Sequence, residues 1–557
     1  NLRDWSQAKC CGDHSALMAQ SFFGFLETLG ESVGSGVDKT FQHIDAGLAL
    51  QEILDEIQVV GAHEPALVEA YVRLERLAQE QPPAVLRDWV VDNKVLPVVC
   101  IALCQLGSAR SAAGALARIL DMLGEALDKT ETTPEEIKGF AEQLVRFTEK
   151  GKAMVKVIQV DDVKSQAQGL ALLRRVYPHT KEVLHRNLFA DPKSVEALMQ
   201  SLETVGNSPW ANGGELTELC IQCVSFLCLV TPDDHDLQMI ITSQDGVEAL
   251  LAIVAQVVPA SASTPALLDV AFDAATCVLQ LVRRHAIAQK YVRGAGQLSS
   301  LVQTMRCAVG AVSAEMLSPE SCTRLSEVFS ILLHVTSALL SDDGMTEPAA
   351  NARSFLHNTS LLELVSTEAL QARSLGENFK LQMISVFDDL LRAAEEPAIH
   401  CLVDSLEGAT GLDCLIRHML DPSTSLAQRT ALDSVFSVTL GRSQRLQESI
   451  AVAVETANAP PGSEAVGMDG IGQGPPPRKQ SGRNSAPQFS GPGPLVDAGR
   501  SVLAALRTTS PPAGSSDSCP SDPALWFAAC LLGHCLRGQP SLQALRARHG
   551  QRKLDSL

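Results

Sequence analysis

An all-α fold of stacked helical repeats is what this sequence predicts, and three observations predict it. The 557-residue chain is 45% apolar but only 4% aromatic, with Leu, Ala and Val dominant, which favours helices over strands. Long apolar stretches recur with helix-ending signals between them. One short pattern returns along the chain at a nearly constant spacing.

That pattern is an apolar pair, a short polar or glycine-containing break, and a helix opening of the form apolar-x-x-apolar-apolar. It occurs at Val195-x-x-Leu198-Met199, Val247-x-x-Leu250-Leu251, Leu298-x-x-Leu301-Val302, Leu361-x-x-Leu364-Val365 and Leu412-x-x-Leu415-Ile416. The starts are 52, 51, 63 and 51 residues apart. A sixth candidate, Val95-x-x-Val98-Val99, lies 100 residues before Val195, a distance of two repeats. Between the openings, long apolar helices are expected over 215–230, 266–285, 321–340, 379–396 and 426–440. Each unit is then a long buried helix, a connector and a second amphipathic helix. Such a unit cannot bury its apolar faces alone, so the units must stack. The fold class is an all-α, armadillo/HEAT-like α-solenoid. Its spacing exceeds the ~40–47 residues usual for such repeats, and the excess is assigned to an extra short helix or to longer loops.

A last inner helix is expected over 522–537. Asp522 is a good N-cap, Pro523 suits the first helical position, and Gly538 with Pro540 stops the helix. From Leu525 to Leu536 no residue carries a formal charge, so the helix needs cover on several sides. Residues 459–494 hold eight Gly and eight Pro and predict a disordered insertion; 508–522 is a second, shorter break. The expected organisation is N-terminal helical repeats of poor register over 1–150, armadillo-like repeats over 151–458, the insertion over 459–495, and C-terminal repeats of the same solenoid over 496–557.

The net charge of −19 argues against non-specific nucleic-acid binding. Fifteen cysteines without regular spacing lie mostly in apolar helical patterns, which points to a reducing, cytoplasmic compartment. There is no signal-peptide pattern and no apolar run of the ~18 or more residues that spans a bilayer. The chain opens on Asn1 rather than Met, so residues preceding it are expected.

Motifs that carry chemistry are weak throughout. "GSGVDKT" (34–40) has the outline of a phosphate loop, but Asp38 stands where that loop needs Gly before Lys39, and a helix-breaking turn is expected. Cys220, Cys223 and Cys228 have metal-like spacing but lie mid-helix among Ile221, Val224, Phe226 and Leu227, with no second ligand pair; core packing is expected. Cys530 and His534, with Cys535 beside them, put only two ligand types on one face. Arg478, three residues before Ser481, makes an unspecific kinase-type context that a plain solvated loop explains equally well. No catalytic, cofactor-binding or metal-ligating residue is assigned. No cofactor is expected, the chain is expected not to be an enzyme, and its partner-binding residues are not fixed by the sequence.

Four stretches carry a family resemblance. "ALWFAACLLGHCLRGQPSLQALRARH" (524–549), "AQRTALDSVFSVTLGRSQRLQESI" (427–450), "SQAQGLALLRRVYPHTKEVLHRNLFADPKSVEALMQSL" (165–202) and "FDAATCVLQLVRRHAIAQKYVRGAGQLSSLV" (272–302) resemble the armadillo-like head of the general vesicular transport factor family, tethers of ER-to-Golgi vesicles. The resemblance spans about residues 160–550 and is weak over the first 150. Family members carry a long dimerising coiled coil after the head; no such region follows Leu557, so a head fragment or a tailless relative is expected.

The resemblance implies a peripheral tethering head at Golgi and vesicle membranes. Its implied partners are a Rab-type small GTPase, SNARE proteins and coat or Golgi proteins, with a homodimer left open. The rival reading is another armadillo scaffold: a formin-like GTPase-binding module or a nuclear transport adaptor. Trp5, Trp89, Trp210 and Trp526 form no regular ladder, which weakens the adaptor version.

Overall fold

The computed structural model describes residues 47–442, apart from short stretches within that range, the longest being 396–413. The expected helix at 522–537, the insertion at 459–494 and the break at 508–522 lie outside the described residues. Among the described residues every regular element is helical. The chain groups into two units, divided between Leu198 and Met199.

In the first unit a helix over 47–57 is followed by α1 (Glu64–Glu80), α2 (Pro83–Val91), α3 (Val95–Leu106), α4 (Arg110–Asp128), α5 (Pro134–Phe147), α6 (Lys152–Ile158) and α7 (Val163–Phe189). Helix α4 packs on both α1 and α7. It can do so because small and large apolar residues alternate around it: Ala112, Ala113, Leu116, Ile119, Leu120 and Leu123 are all fully buried. At Gly114 the chains come so close that a Cβ would lie 2.6 Å from the Ser165 hydroxyl of α7. The buried Asp121 of α4 is held by Arg118 (2.9 Å) and by Arg175 of α7 (2.8 Å). Helix α7 contains Pro178 and bends at Thr180, whose φ of −135° leaves the helical range. The Thr180 hydroxyl donates back to the Val176 carbonyl at 2.9 Å.

Helix α8 (Pro192–Asn207) carries the first repeat opening, and the division between the units falls within it. The second unit continues with α9 (Glu215–Val230) and then repeats a three-helix order. Short helix α10 (His235–Ser243) leads to α11 (Gly246–Ala260) and long α12 (Leu267–Val282). Short α13 (Ala286–Gly294) leads to α14 (Gln297–Ser313) and long α15 (Pro319–Leu340). Short α16 (Pro348–Asn358) leads to α17 (Leu361–Glu363), which runs on as a π-helix over Leu364–Ala369, and then to α18 (Glu377–Ala393). Helix α19 (Leu426–Arg442) is the last among the described residues.

The sequence offered an extra short helix or longer loops as the source of the long repeat. The structure shows the short helix in the three successive repeats from α10 to α18, each of which has three helices. Local caps set its start. Asp234 accepts from the Leu237 N–H (2.9 Å) ahead of α10, and the His285 ring accepts from the Ala288 N–H (3.0 Å) ahead of α13. Half of the excess in the 63-residue interval comes from α15, which has 22 residues where α9 and α12 have 16, and the rest from longer α14 and α16 and the longer α15–α16 connection.

Three of the openings read from sequence are core throughout: Val247, Leu250, Leu251, Leu298, Leu301, Val302, Leu361, Leu364 and Val365 are each at most 2% exposed. Val195, Leu198 and Met199 are buried, Val98 is half-buried, and Leu412 and Ile416 lie outside the described residues. Burying each such side chain contributes about 1.5–3 kcal/mol. In the second unit the long helices pack in series, α9 on α12, α12 on α15, α15 on α18 and α18 on α19, with α11 on α14 in a second layer.

Among the described residues no single helix is long and apolar enough to cross a membrane. Residues His235–Ser243 and Gly246–Val258 reach that composition only together, and they meet at 73°.

Candidate interaction face

The long helices of the second unit each bury one side, and the half-buried side carries polar residues among apolar ones such as Ile221 and Leu279. Neighbouring helices are stitched together by side chains about one repeat apart in sequence. The Ser225 hydroxyl of α9 donates to Asp273 of α12 at 2.8 Å. The Ser337 hydroxyl of α15 donates to Asp389 of α18 at 2.9 Å. Arg324 of α15 donates to Asp269 of α12 at 2.8 Å and lies 4.1 Å from the centre of the Phe272 ring. Arg392 of α18 donates to Ser434 of α19 at 3.2 Å. Burial pushes the Asp389 carboxyl above the usual carboxylate range, and the Ser337 hydroxyl partly opposes the shift. The result is a row of polar contacts that links α9, α12, α15, α18 and α19 in turn, with Asp269, Asp273 and Asp389 as its acceptors and Arg324 and Arg392 among its donors.

A second row runs through the short helices. Buried Gln238 donates to the Thr231 carbonyl (3.0 Å), and buried Gln289 to the Val282 carbonyl (3.0 Å). Both carbonyls belong to the end of the preceding long helix, where backbone acceptors have no intrahelical partner. Sequence reading missed this row. Its signal was present: Gln238 and Gln289 are 51 residues apart, the same interval as the openings at Val247 and Leu298.

Cys220 and Cys223 are fully buried in α9. Burial pushes the Cys223 thiol up to about 12 and the half-buried Cys228 thiol to about 11, which keeps both protonated. They act as small core residues. Among the described residues no group of three or more His, Cys, Asp or Glu is placed to hold a metal ion. Trp89 is buried in α2. Lys39, Trp5, Trp210, Ser481, Trp526, Cys530, His534 and Cys535 lie outside the described residues.

No protein-family model matches this sequence, and no curated protein matches it. Solved structures do. The crystal structure of Uso1-2 matches with a TM-score of 0.52 at 12% identity, over 73% of this chain. The two share a fold. The match spans 63% of the Uso1-2 chain. It is the fold that the tethering-head resemblance implied. The crystal structure of Uso1-1 matches at TM-score 0.49 and 12% identity, over 74% of this chain and 65% of that one. That of SYS-1 matches at TM-score 0.36 and 12% identity, over 97% and 94%.

Proposed function

We propose that this chain is a non-enzymatic binding scaffold that serves as the head of a vesicle tether in ER-to-Golgi and intra-Golgi transport. It works in the cytoplasm and sits at Golgi and vesicle membranes through its partners. Those partners are a Rab-type small GTPase, SNAREs and coat or Golgi proteins, and a second copy of the chain is a further candidate. The observation that carries the reading is the fold shared with Uso1-2, joined to the four sequence stretches that resemble the tethering heads. The physics of the long-helix face agrees with it. Side chains on successive helices are locked to one another, so a partner meets a preorganised surface and little ordering cost is paid on binding. A stable protein interface buries about 1,200–2,000 Å², and a stack of repeats can supply that without a deep pocket.

The test is retention of purified small GTPases on the immobilised full chain. Rab-type GTPases of the early secretory pathway, loaded with a GTP analogue, are expected to be retained in preference to their GDP forms. Retention of Rho-type GTPases alone would move the chain to the formin-like scaffolds, and retention of neither class would overturn the tether reading.

A further inference from the structure

We propose that a basic face on the first unit docks directly on an anionic lipid surface. The face is formed by the α5–α6 turn, α6 and the C-terminal half of α7. Residues 146–193 hold ten Lys or Arg against five Asp or Glu, in a chain with 45 against 64. Charge of this sign is therefore concentrated in one segment of an otherwise acidic protein.

The fold brings part of that segment, Lys150, Lys152, Lys156 and Arg186, to exposed positions on the turn, α6 and the C-terminal half of α7. Between α5 and α6, Glu149, Lys150 and Gly151 take φ of 53°, 62° and 86°, three left-handed residues in succession. Gly meets that geometry freely, whereas a lysine there is strained. Helix α7 clamps the turn. The Asn187 amide donates to the Lys150 carbonyl at 2.6 Å, and a Cβ on Gly151 would run into the Leu184 side chain. Lys150 and Lys152 thus project from a rigid turn at the side of α7. Lys152 and Lys156 lie one helical turn apart on α6, and both are exposed. On α7, Arg186 and the exposed Val183 flank Asn187 at helical spacing. Glu149 and Glu182 are the acids closest to these residues in sequence.

Pairing separates these cations from others in the same unit. Arg118 and Arg175 are bound to Asp121, whereas Lys150, Lys152, Lys156 and Arg186 make no ion pair with any described residue. They are exposed and spread over the turn, α6 and α7. A single bound phosphate or a paired peptide carboxylate needs convergent donors. A field of lipid headgroups needs only unpaired cations near one surface, with a small apolar side chain such as Val183 between them. The inference stands apart from the tether reading, since it concerns lipid rather than a protein partner; loss of GTPase retention would leave it intact.

Flotation of the full chain with phosphatidylcholine vesicles, with and without phosphatidylserine, tests it. The chain is expected to float with the phosphatidylserine vesicles only, and less so as salt rises. The variant K150G/K152Q/R186Q is expected to lose about fivefold in partition for each cation removed, on the order of a hundredfold in all. K150G by itself relieves the left-handed strain, so it keeps the fold and still shows its share of the loss. R283Q/K290Q, which removes two exposed cations of the second unit, is expected to float like the wild type. No flotation of the wild type, equal flotation on neutral vesicles, or equal losses in both multiple variants would each overturn the proposal.

Discussion

Gln289 shows what one buried side chain does in this fold. It is 1% exposed. Its amide nitrogen donates to the Val282 carbonyl (3.0 Å) and to the Ala338 carbonyl (3.2 Å), at the ends of α12 and α15. Its oxygen accepts from Asn351 (3.1 Å), which also donates to the Leu339 carbonyl (2.8 Å). Gln289→Leu leaves two buried carbonyls without that donor, and the expected loss is about 2–4 kcal/mol in urea unfolding. A loss below about 0.5 kcal/mol would mean the row is incidental. His418 supplies a pH dependence. Burial lowers its pKa first; its bond to Gln428 (3.0 Å) opposes that, Lys380 lowers it further and Asp421 raises it. The net shift is down, so the folded state favours the neutral ring. Stability should then fall as pH drops below the unfolded value of about 6.5 and continue falling to the folded one. His418→Gln should flatten that part of the stability profile; an unchanged slope from pH 7 to 5 would exclude His418 as its source.

Each helix combines local signals with cover from its neighbours, and the two can be measured separately. Thr133 and Glu136 form a reciprocal capping box at the start of α5, with Pro134 in the first turn. Thr133→Ala should cost about 1 kcal/mol, and the thermal midpoint should fall accordingly. Phe387 of α18 is 2% exposed. Phe387→Ala should cost about 3–5 kcal/mol. Because α18 packs chiefly on α15 and α19, hydrogen-exchange protection should fall there and hold in α9. A uniform loss of protection along the chain would contradict nearest-neighbour stacking. Sequence reading placed the long helices within about three residues of their ends, since they have enough turns for an apolar stripe to show. It did not resolve the short helices as separate elements. Nine residues are too few to be stable alone, so α10 and α13 exist by docking on their neighbours and leave little periodicity to read.

At the scale of the molecule, the two groups of helices divided at Leu198 and Met199 each have their own contacts. Urea unfolding followed by circular dichroism should therefore depart from a single two-state transition. A single transition with coincident probes would show that the groups unfold as one. The insertion expected from the eight Gly and eight Pro of 459–494 gives a separate test, because limited proteolysis should cut there first. Release of 496–557 after that cut would make the segment a linker between domains.

The sequence by itself determined the helical class, the interval of the repeat and the residues that open its middle helix. Each of these depends on apolar periodicity, which neighbouring residues write directly into the chain. Tertiary structure decided the rest. It turned the opening at Leu361 into a π-helix over Leu364–Ala369, although the written pattern matches the other openings. It placed Arg306 against Glu368 at 2.8 Å and Arg293 against Asn351 at 2.7 Å. It also joined Ser225 to Asp273 and Ser337 to Asp389 across the long helices. Polar pairs of this kind are separated by about a repeat in sequence and become neighbours only when apolar burial has stacked the helices. Hydrophobic burial is non-directional and reads out from composition and period, whereas hydrogen bonds require fixed distances that only the packed chain supplies.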